Sequence, residues 1–233
     1  MPNLNPNPNP NLQPTPHANS GAVHVVAAFD FDGTLTQRDT FTPFLARGLG
    51  WPHFLWAILR CLPWLAGYAV GLVPNGVAKQ KLMLVTLKGR STLEMDDWTT
   101  RWLANDFPGQ LRDWTMARLA WHQRAGHCCV MVSASPNIYL ERVAGQLGFD
   151  ALICTDMAVT DGRLTGWMRT PNCYGEQKVV RLTAWLKERF GVASAAAVTL
   201  YAYGDTVGDK PMLRMAGQAW YQGKAWADDS LGS

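Results

Sequence analysis

Charge is scarce in this chain of 233 residues: Asp, Glu, Lys and Arg together make up 17%, and the formal net charge is only +3. A nucleic-acid protein masses Lys and Arg along one face, and no such mass is visible, so neither DNA nor RNA is an expected partner. The five cysteines, Cys61, Cys128, Cys129, Cys154 and Cys173, are odd in number and lack C-x-x-C spacing. They read as buried structural thiols of a reducing compartment, not as disulfides or zinc ligands. No basic-then-apolar leader opens the chain, so export is not encoded and a cytoplasmic location is expected. A spanning helix needs about 20 largely unbroken apolar residues. The best candidate, WPHFLWAILRCLPWLAGYAVGLV at 51–73, is broken mid-span by Arg60 and Pro63. The segment 1–22 lacks Asp, Glu, Lys and Arg and reads as an Asn/Pro-rich tail unable to offset its own conformational entropy.

What is present is a core-forming composition: 48% hydrophobic, 11% aromatic and eleven tryptophans. Short β-branched apolar runs at 23–29 (VHVVAAF), 127–132 (HCCVMV) and 198–203 (VTLYAY) fit central parallel strands covered on both faces. A third strand is expected at 151–154, and Asp161-Gly162 marks a hairpin turn between 157–160 and 163–168. Helices are expected at 113–125, at 175–190 stopping on Gly191, and after Ser135-Pro136, read as N-cap and first helical position. Alternation of this kind implies an α/β fold, a doubly wound, Rossmann-like parallel sheet. The stretch 39–107 does not alternate and reads as a helical insertion after the first strand. The catalytic core is accordingly expected at 23–38 and 108–233.

Ligands of such sheets sit at the carboxyl ends of the strands, and polar clusters fall there. Asp30 and Asp32 leave the first strand two residues apart, Ser133 follows the second, and Asp205 and Asp209 follow the strand at 198–203. Carboxylates this close repel unless a cation lies between them, and hard oxygens without imidazole or thiolate suit Mg2+. Magnesium commonly takes a substrate phosphate as well, and Lys178 with the Ser133 hydroxyl offers a cradle for phosphoryl oxygens. His122 and His127 read as a helix-surface and a strand-start residue with no role.

Asp30-Phe31-Asp32-Gly33-Thr34-Leu35-Thr36, Ser133, Lys178 and Gly204-Asp205-x-x-x-Asp209, in that order over 23–217, resemble the four motifs of the haloacid-dehalogenase-like (HAD) phosphatases. The insertion resembles their C1 cap, and Asn172-Cys173-Tyr174-Gly175-Glu176-x-Lys178 is similar to the phosphoserine-phosphatase-like subfamily. The resemblance implies that Asp30 attacks phosphorus to give an aspartyl-phosphate and that Asp32 protonates the leaving alcohol, then activates water. It implies that Ser133 and Lys178 hold the phosphoryl group. Magnesium would be bound by Asp205, the Asp30 carboxylate and the Asp32 backbone carbonyl, with Asp209 outside them or orienting Lys178 and Gly33 permitting the turn. Asp39 stands where phosphoserine phosphatases carry an acidic substrate contact.

Two departures bear on substrate: Ala134-Ser135 replaces a glycine pair, and Gly208 replaces an Asn. The run at 51–73 reads either as a helical hairpin buried in the cap or as a face lying against the inner membrane surface, and with DGTLT-x-x-D-x-F it resembles the phosphatidylglycerophosphatase C group. The expected substrate is therefore a phosphate monoester of a small metabolite or of a lipid headgroup. The alternative is a catalytically silent phosphate- or membrane-binding module; the presence of Asp30, Asp32, Ser133, Lys178, Asp205 and Asp209 together favours the enzyme. The oligomeric state is not encoded.

Overall fold

The computed structural model describes residues 24–192 and 195–227; the Asn/Pro-rich segment lies outside them. In chain order the elements are β1 (Val25–Phe29), α1 (Phe41–Leu49), α2 (Trp51–Ala69), α3 (Asn75–Leu87), α4 (Thr92–Asn105), α5 (Asp113–Arg124), β2 (Cys128–Pro136) and α6 (Asn137–Gln146). There follow β3 (Ala151–Thr155), β4 (Met157–Thr160), β5 (Arg163–Met168), α7 (Glu176–Phe190), β6 (Thr199–Gly204), α8 (Lys210–Arg214), β7 (Gln218–Tyr221) and β8 (Lys224–Ala225). The main sheet runs β3-β2-β1-β6-β7-β8 and is parallel except for β8.

Period-two alternation in β1 explains why the sheet is covered twice. Ala27 and Phe29 face a core shared with Met131, Tyr139 and Tyr203, which continues without a break into Phe44, Trp98 and Trp102 of α1 and α4. Val26 and Ala28 face the other core, closed by Leu182 and Leu186 of α7 and by Met212 and Leu213 of α8. The doubly wound parallel sheet expected from the alternation is the observed one. All five cysteines are free thiols, four buried and Cys128 half-buried.

The stretch after β1 is helical, as its spacing suggests. In α2, Phe54, Ala57 and Cys61 form the buried stripe, while Pro52 opens the helix and Pro63 sits inside it. No helix among the described residues is long and apolar enough to cross a membrane. The β4–β5 hairpin stands off the main sheet and joins α3: Gln80 Nε2 donates to the Gly166 carbonyl at 2.6 Å, and the Gly89 N–H to the Leu164 carbonyl at 2.8 Å.

Two expectations need correction, and two strands were not foreseen. Ser135-Pro136 does not begin a helix: β2 runs through Pro136, which is itself the N-cap of α6. The reason is tertiary, because the Ser135 hydroxyl is spent on Asp32 and not on a helix N–H. The last two strands, β7 and β8, carried too short an apolar signal to be read. His122 is not a surface residue but fully buried, on the α5 stripe with Thr115 and Leu119. Its Nε2 lies 2.8 Å from the Tyr203 hydroxyl and its Nδ1 2.8 Å from His127 Nδ1.

Burial, with the charges of His127 and Arg118 behind it, lowers the His122 pKa from 6.5 to about 4. Between those values the unfolded chain binds a proton that the folded chain refuses, so stability falls as pH drops through this window. The loss amounts to up to about 2 kcal/mol. In urea titrations at pH 7 and pH 4.5, His122→Gln should lose less stability on acidification than the parent. Equal losses would show that His122 does not carry the effect.

Candidate active site

Register places the site. Phe29 pairs with Met131 on one side and Tyr203 on the other, so the residues just beyond, Asp30, Ser133 and Asp205, emerge together from three adjacent strands. The Asp30 N–H still donates to the Tyr203 carbonyl at 2.9 Å, which fixes the direction in which its carboxylate leaves the sheet.

Lys178 approaches from below. It lies four and eight residues before Leu182 and Leu186, on the core-facing stripe of α7, and is therefore buried although charged. Its ammonium donates to Asp30 Oδ1 at 2.6 Å, Asp209 Oδ1 at 2.6 Å and the Val132 carbonyl at 2.8 Å, using all three protons. Asp209 uses its other oxygen to accept from the N–H groups of Asp205 and Thr206 and from the Thr206 hydroxyl. It is held ionised, below the usual carboxylate range, because Lys178 and these donors outweigh its burial. Asp30 moves the opposite way: burial, then the charge of Asp209, push its carboxyl well up against the opposing pull of Lys178.

Asp205 is less enclosed, accepting from the Thr34 hydroxyl at 3.1 Å, and burial followed by the Asp209 charge raises its pKa. Oxygens of Asp30, Asp205 and Asp209 lie within 4.8 Å of one another. Three carboxylates against one ammonium leave about two negative charges when all are ionised, and every donor is a hard oxygen. That is the deficit a divalent cation such as Mg2+ fills.

Asp32 faces elsewhere. Its Oδ1 accepts from the Thr40 N–H at 2.7 Å and the Thr40 hydroxyl at 2.6 Å, and its Oδ2 from the Ser135 hydroxyl at 2.5 Å. Burial and the charge of Asp39 raise its pKa against these bonds. Its carboxylate is not among the clustered oxygens of Asp30, Asp205 and Asp209. Ser133 is buried within the carboxyl-terminal half of β2, its hydroxyl accepting the Ser135 N–H at 3.0 Å. Asp39 is exposed, and its Oδ2 accepts the Thr42 N–H at 3.0 Å at the start of α1.

Gly33 is needed twice over. Its φ is +80°, and a Cβ there would stand 2.1 Å from Asp205 Oδ2. Gly50 has a similar φ of +76° but open space around it. With a ψ of 149° Gly50 lies where side chains are rarely tolerated, so Gly50→Ala should cost about 1–3 kcal/mol of strain, and Gly33→Ala clearly more. Thermal unfolding of both variants separates the clash from the strain, and equal losses would contradict the close approach.

Sequence reasoning missed several side chains here. Nothing in the sequence signals that Thr34 binds Asp205 or that Ser135 binds Asp32, contacts across 171 and 103 residues, nor that Thr40 folds back on Asp32 eight residues before it. Lys79 of α3 is the most consequential: its ammonium donates to the Ala134 carbonyl at 2.7 Å and stands 5.4 Å over the Phe41 ring. Burial lowers its pKa while the charges of Asp32 and Asp39 raise it. Gly208, the second sequence departure, has a local cause: the Tyr174 ring occupies the space of any side chain there, 2.2 Å from a built Cβ.

The model of the haloacid dehalogenase-like hydrolases matches residues 27–214, a span that contains the whole cluster. The chain belongs to that family. Among HAD relatives, the protein CicA of Caulobacter vibrioides is 33% identical over 199 residues, 85% of this chain and 86% of its own. A protein of unknown function from Bordetella pertussis superposes with a TM-score of 0.74 at 25% identity, covering 85% of this chain and 89% of its own. A phospho-aspartyl intermediate analogue of phosphoserine phosphatase shares the fold at TM-score 0.59 and 18% identity, over 85% and 86% of the two chains. Within this fold the three clustered carboxylates and Lys178 gather at the carboxyl end of the sheet, with Ser133 on the neighbouring strand β2.

Proposed function

We propose that this HAD protein is a magnesium-dependent phosphatase that hydrolyses a phosphate monoester through an aspartyl-phosphate on Asp30. The observation that carries the reading is the division of labour between two carboxylates two residues apart. Asp30 touches Lys178 and the acidic cluster, whereas Asp32 is turned away and clamped by Thr40 and Ser135.

A metal held by Asp30, Asp205 and the Asp32 carbonyl would supply positive charge to the phosphoryl oxygens and to the cluster. The protein's own groups account for the rest. An Asp30 oxygen attacks phosphorus as the ester oxygen departs, and Asp32, its pKa raised, gives that oxygen a proton. Lys178 and the Ser133 hydroxyl neutralise the charge on the phosphoryl oxygens. Asp32, now ionised, takes a proton from the water that attacks the aspartyl-phosphate, releasing phosphate and restoring Asp30. Asp209 keeps Lys178 charged and aimed.

The substrate class is a phosphate monoester of a small metabolite or of a lipid headgroup. Lys79 puts a cation beside Asp32, on the leaving-group side, which favours an alcohol carrying a further negative group. The helices α1–α4 with the β4–β5 hairpin act as a C1-type cap over the site. The reading is tested by phosphate release from phosphoserine, sugar phosphates, histidinol phosphate and phosphatidylglycerophosphate, with and without EDTA, with Asp30→Asn as blank. EDTA-sensitive turnover of at least one ester, absent from the folded Asp30→Asn variant, is expected. Turnover unaffected by that substitution would sink the mechanism.

A further inference from the structure

Helix α2 is apolar on two faces, and only one is used. Opposite the buried stripe, Trp51, Leu55, Trp56, Leu59 and Leu62 are each more than half exposed, and Leu72, in the turn after the helix, is 82% exposed. Single exposed apolar residues are ordinary, but a contiguous row along one helix marks an interaction surface.

The charge distribution identifies what that surface meets. Residues 40–93 hold six Lys and Arg and none of the 18 Asp and Glu, although the whole chain is nearly neutral. Two of these cations stand on the exposed indoles themselves: the Arg60 guanidinium is 4.9 Å from the Trp56 ring and the Lys81 ammonium 5.2 Å from the Trp64 ring. Arg47 and Arg90 are instead paired with Asp106 and Glu94. Indoles at the level of the headgroups, leucines below them and cations beside them form the pattern of an interfacial helix on anionic lipid. A second copy fits poorly, because a two-fold contact through this face sets Arg60 and Lys81 against their own kind with no nearby carboxylate to answer them.

We propose that the exposed face of α2 docks the protein in the interface of an anionic phospholipid bilayer, lying in the plane of the membrane without crossing it. Docking uses none of the catalytic groups and is independent of the phosphatase reading. Asp30→Asn should bind vesicles as the parent does, so failure of one proposal leaves the other standing.

The test is co-sedimentation of the full chain with phosphatidylcholine vesicles, with and without phosphatidylglycerol, at low and high salt. Binding to the anionic vesicles should exceed binding to the neutral ones by about tenfold and weaken in high salt. Arg60→Gln with Lys81→Gln should remove about tenfold of that preference. Leu55→Glu with Leu59→Glu, at exposed positions, should abolish binding, while circular dichroism and turnover of a soluble ester stay unchanged. A parent protein that remains in the supernatant with both vesicles would overturn the proposal, as would binding indifferent to the Leu55 and Leu59 substitutions. A parent that elutes as a dimer, and that the same pair of substitutions makes monomeric, would assign the face to self-association instead.

Discussion

Lys178→Met should stop turnover and weaken the fold together. Among the described residues its ammonium alone bridges Asp30 and Asp209, each at 2.6 Å, and all three side chains are buried. Removing one partner of a buried ionic cluster strands the others, at about 3–5 kcal/mol. The loss should also depend on pH in a defined direction. Without Lys178, burial and the Asp209 charge push the Asp30 carboxyl higher still, so the folded variant holds a proton that the unfolded chain has released. Its stability deficit therefore grows as pH rises through that interval and shrinks towards acid. Catalysis loses the positive charge that stands against Asp30 and would face the phosphoryl oxygens, an effect of about 10²–10³ in turnover. Urea titrations across pH with phosphate-release assays check both effects. A folded Lys178→Met variant with parental turnover would remove Lys178 from the phosphoryl site.

Asp32→Asn should divide the reaction at its midpoint. In the first half Asp32 is needed as an acid, so esters of poorly leaving alkyl alcohols should slow by about 10²–10⁴, whereas p-nitrophenyl phosphate, whose leaving group needs no proton, should still phosphorylate Asp30. In the second half the missing base leaves the aspartyl-phosphate without activated water. The expected trace is a burst of one p-nitrophenolate per protein followed by near silence. In the parent, raising the pH through the elevated pKa of Asp32 should reduce turnover of alkyl esters. Because the Asp39 charge helps hold that pKa up, Asp39→Asn should move this alkaline limb to lower pH. An Asp32→Asn variant with steady parental turnover of both ester types would exclude Asp32 as the proton carrier.

Much of this site was legible in the sequence because it is built at strand ends. Buried β-branched runs give way to polar residues at Asp30, Ser133 and Asp205, so the pattern alone brings these three to the same end of the sheet, although β2 itself continues to Pro136. Lys178 was legible through the motif Asn172-Cys173-Tyr174-Gly175-Glu176-x-Lys178, whereas its burial on the stripe of Leu182 and Leu186 emerges only in the folded chain. What could not be read depends on approach between remote segments. The hydroxyls of Thr40 and Ser135 meet only at Asp32, Lys79 reaches the Ala134 carbonyl across 55 residues of chain, and His122 finds Tyr203 across 81. Ser135-Pro136 misled because a serine before proline is a good helix start locally, and the contact with Asp32 overrode it. The tryptophans between the first two motifs likewise divide only in the folded chain: Trp98 and Trp102 join the core, whereas Trp51 and Trp56 face outward.

The proposed chemistry requires a carboxylate oxygen of Asp30 to take the phosphoryl group. The most direct measurement is peptide mass mapping of Asp32→Asn, acid-quenched during the burst with p-nitrophenyl phosphate. It should show one phosphoryl group on the peptide that carries Asp30, released by hydroxylamine as expected of an acyl phosphate. A burst with the phosphoryl group on any other residue, or turnover that leaves no labelled peptide at all, would contradict it.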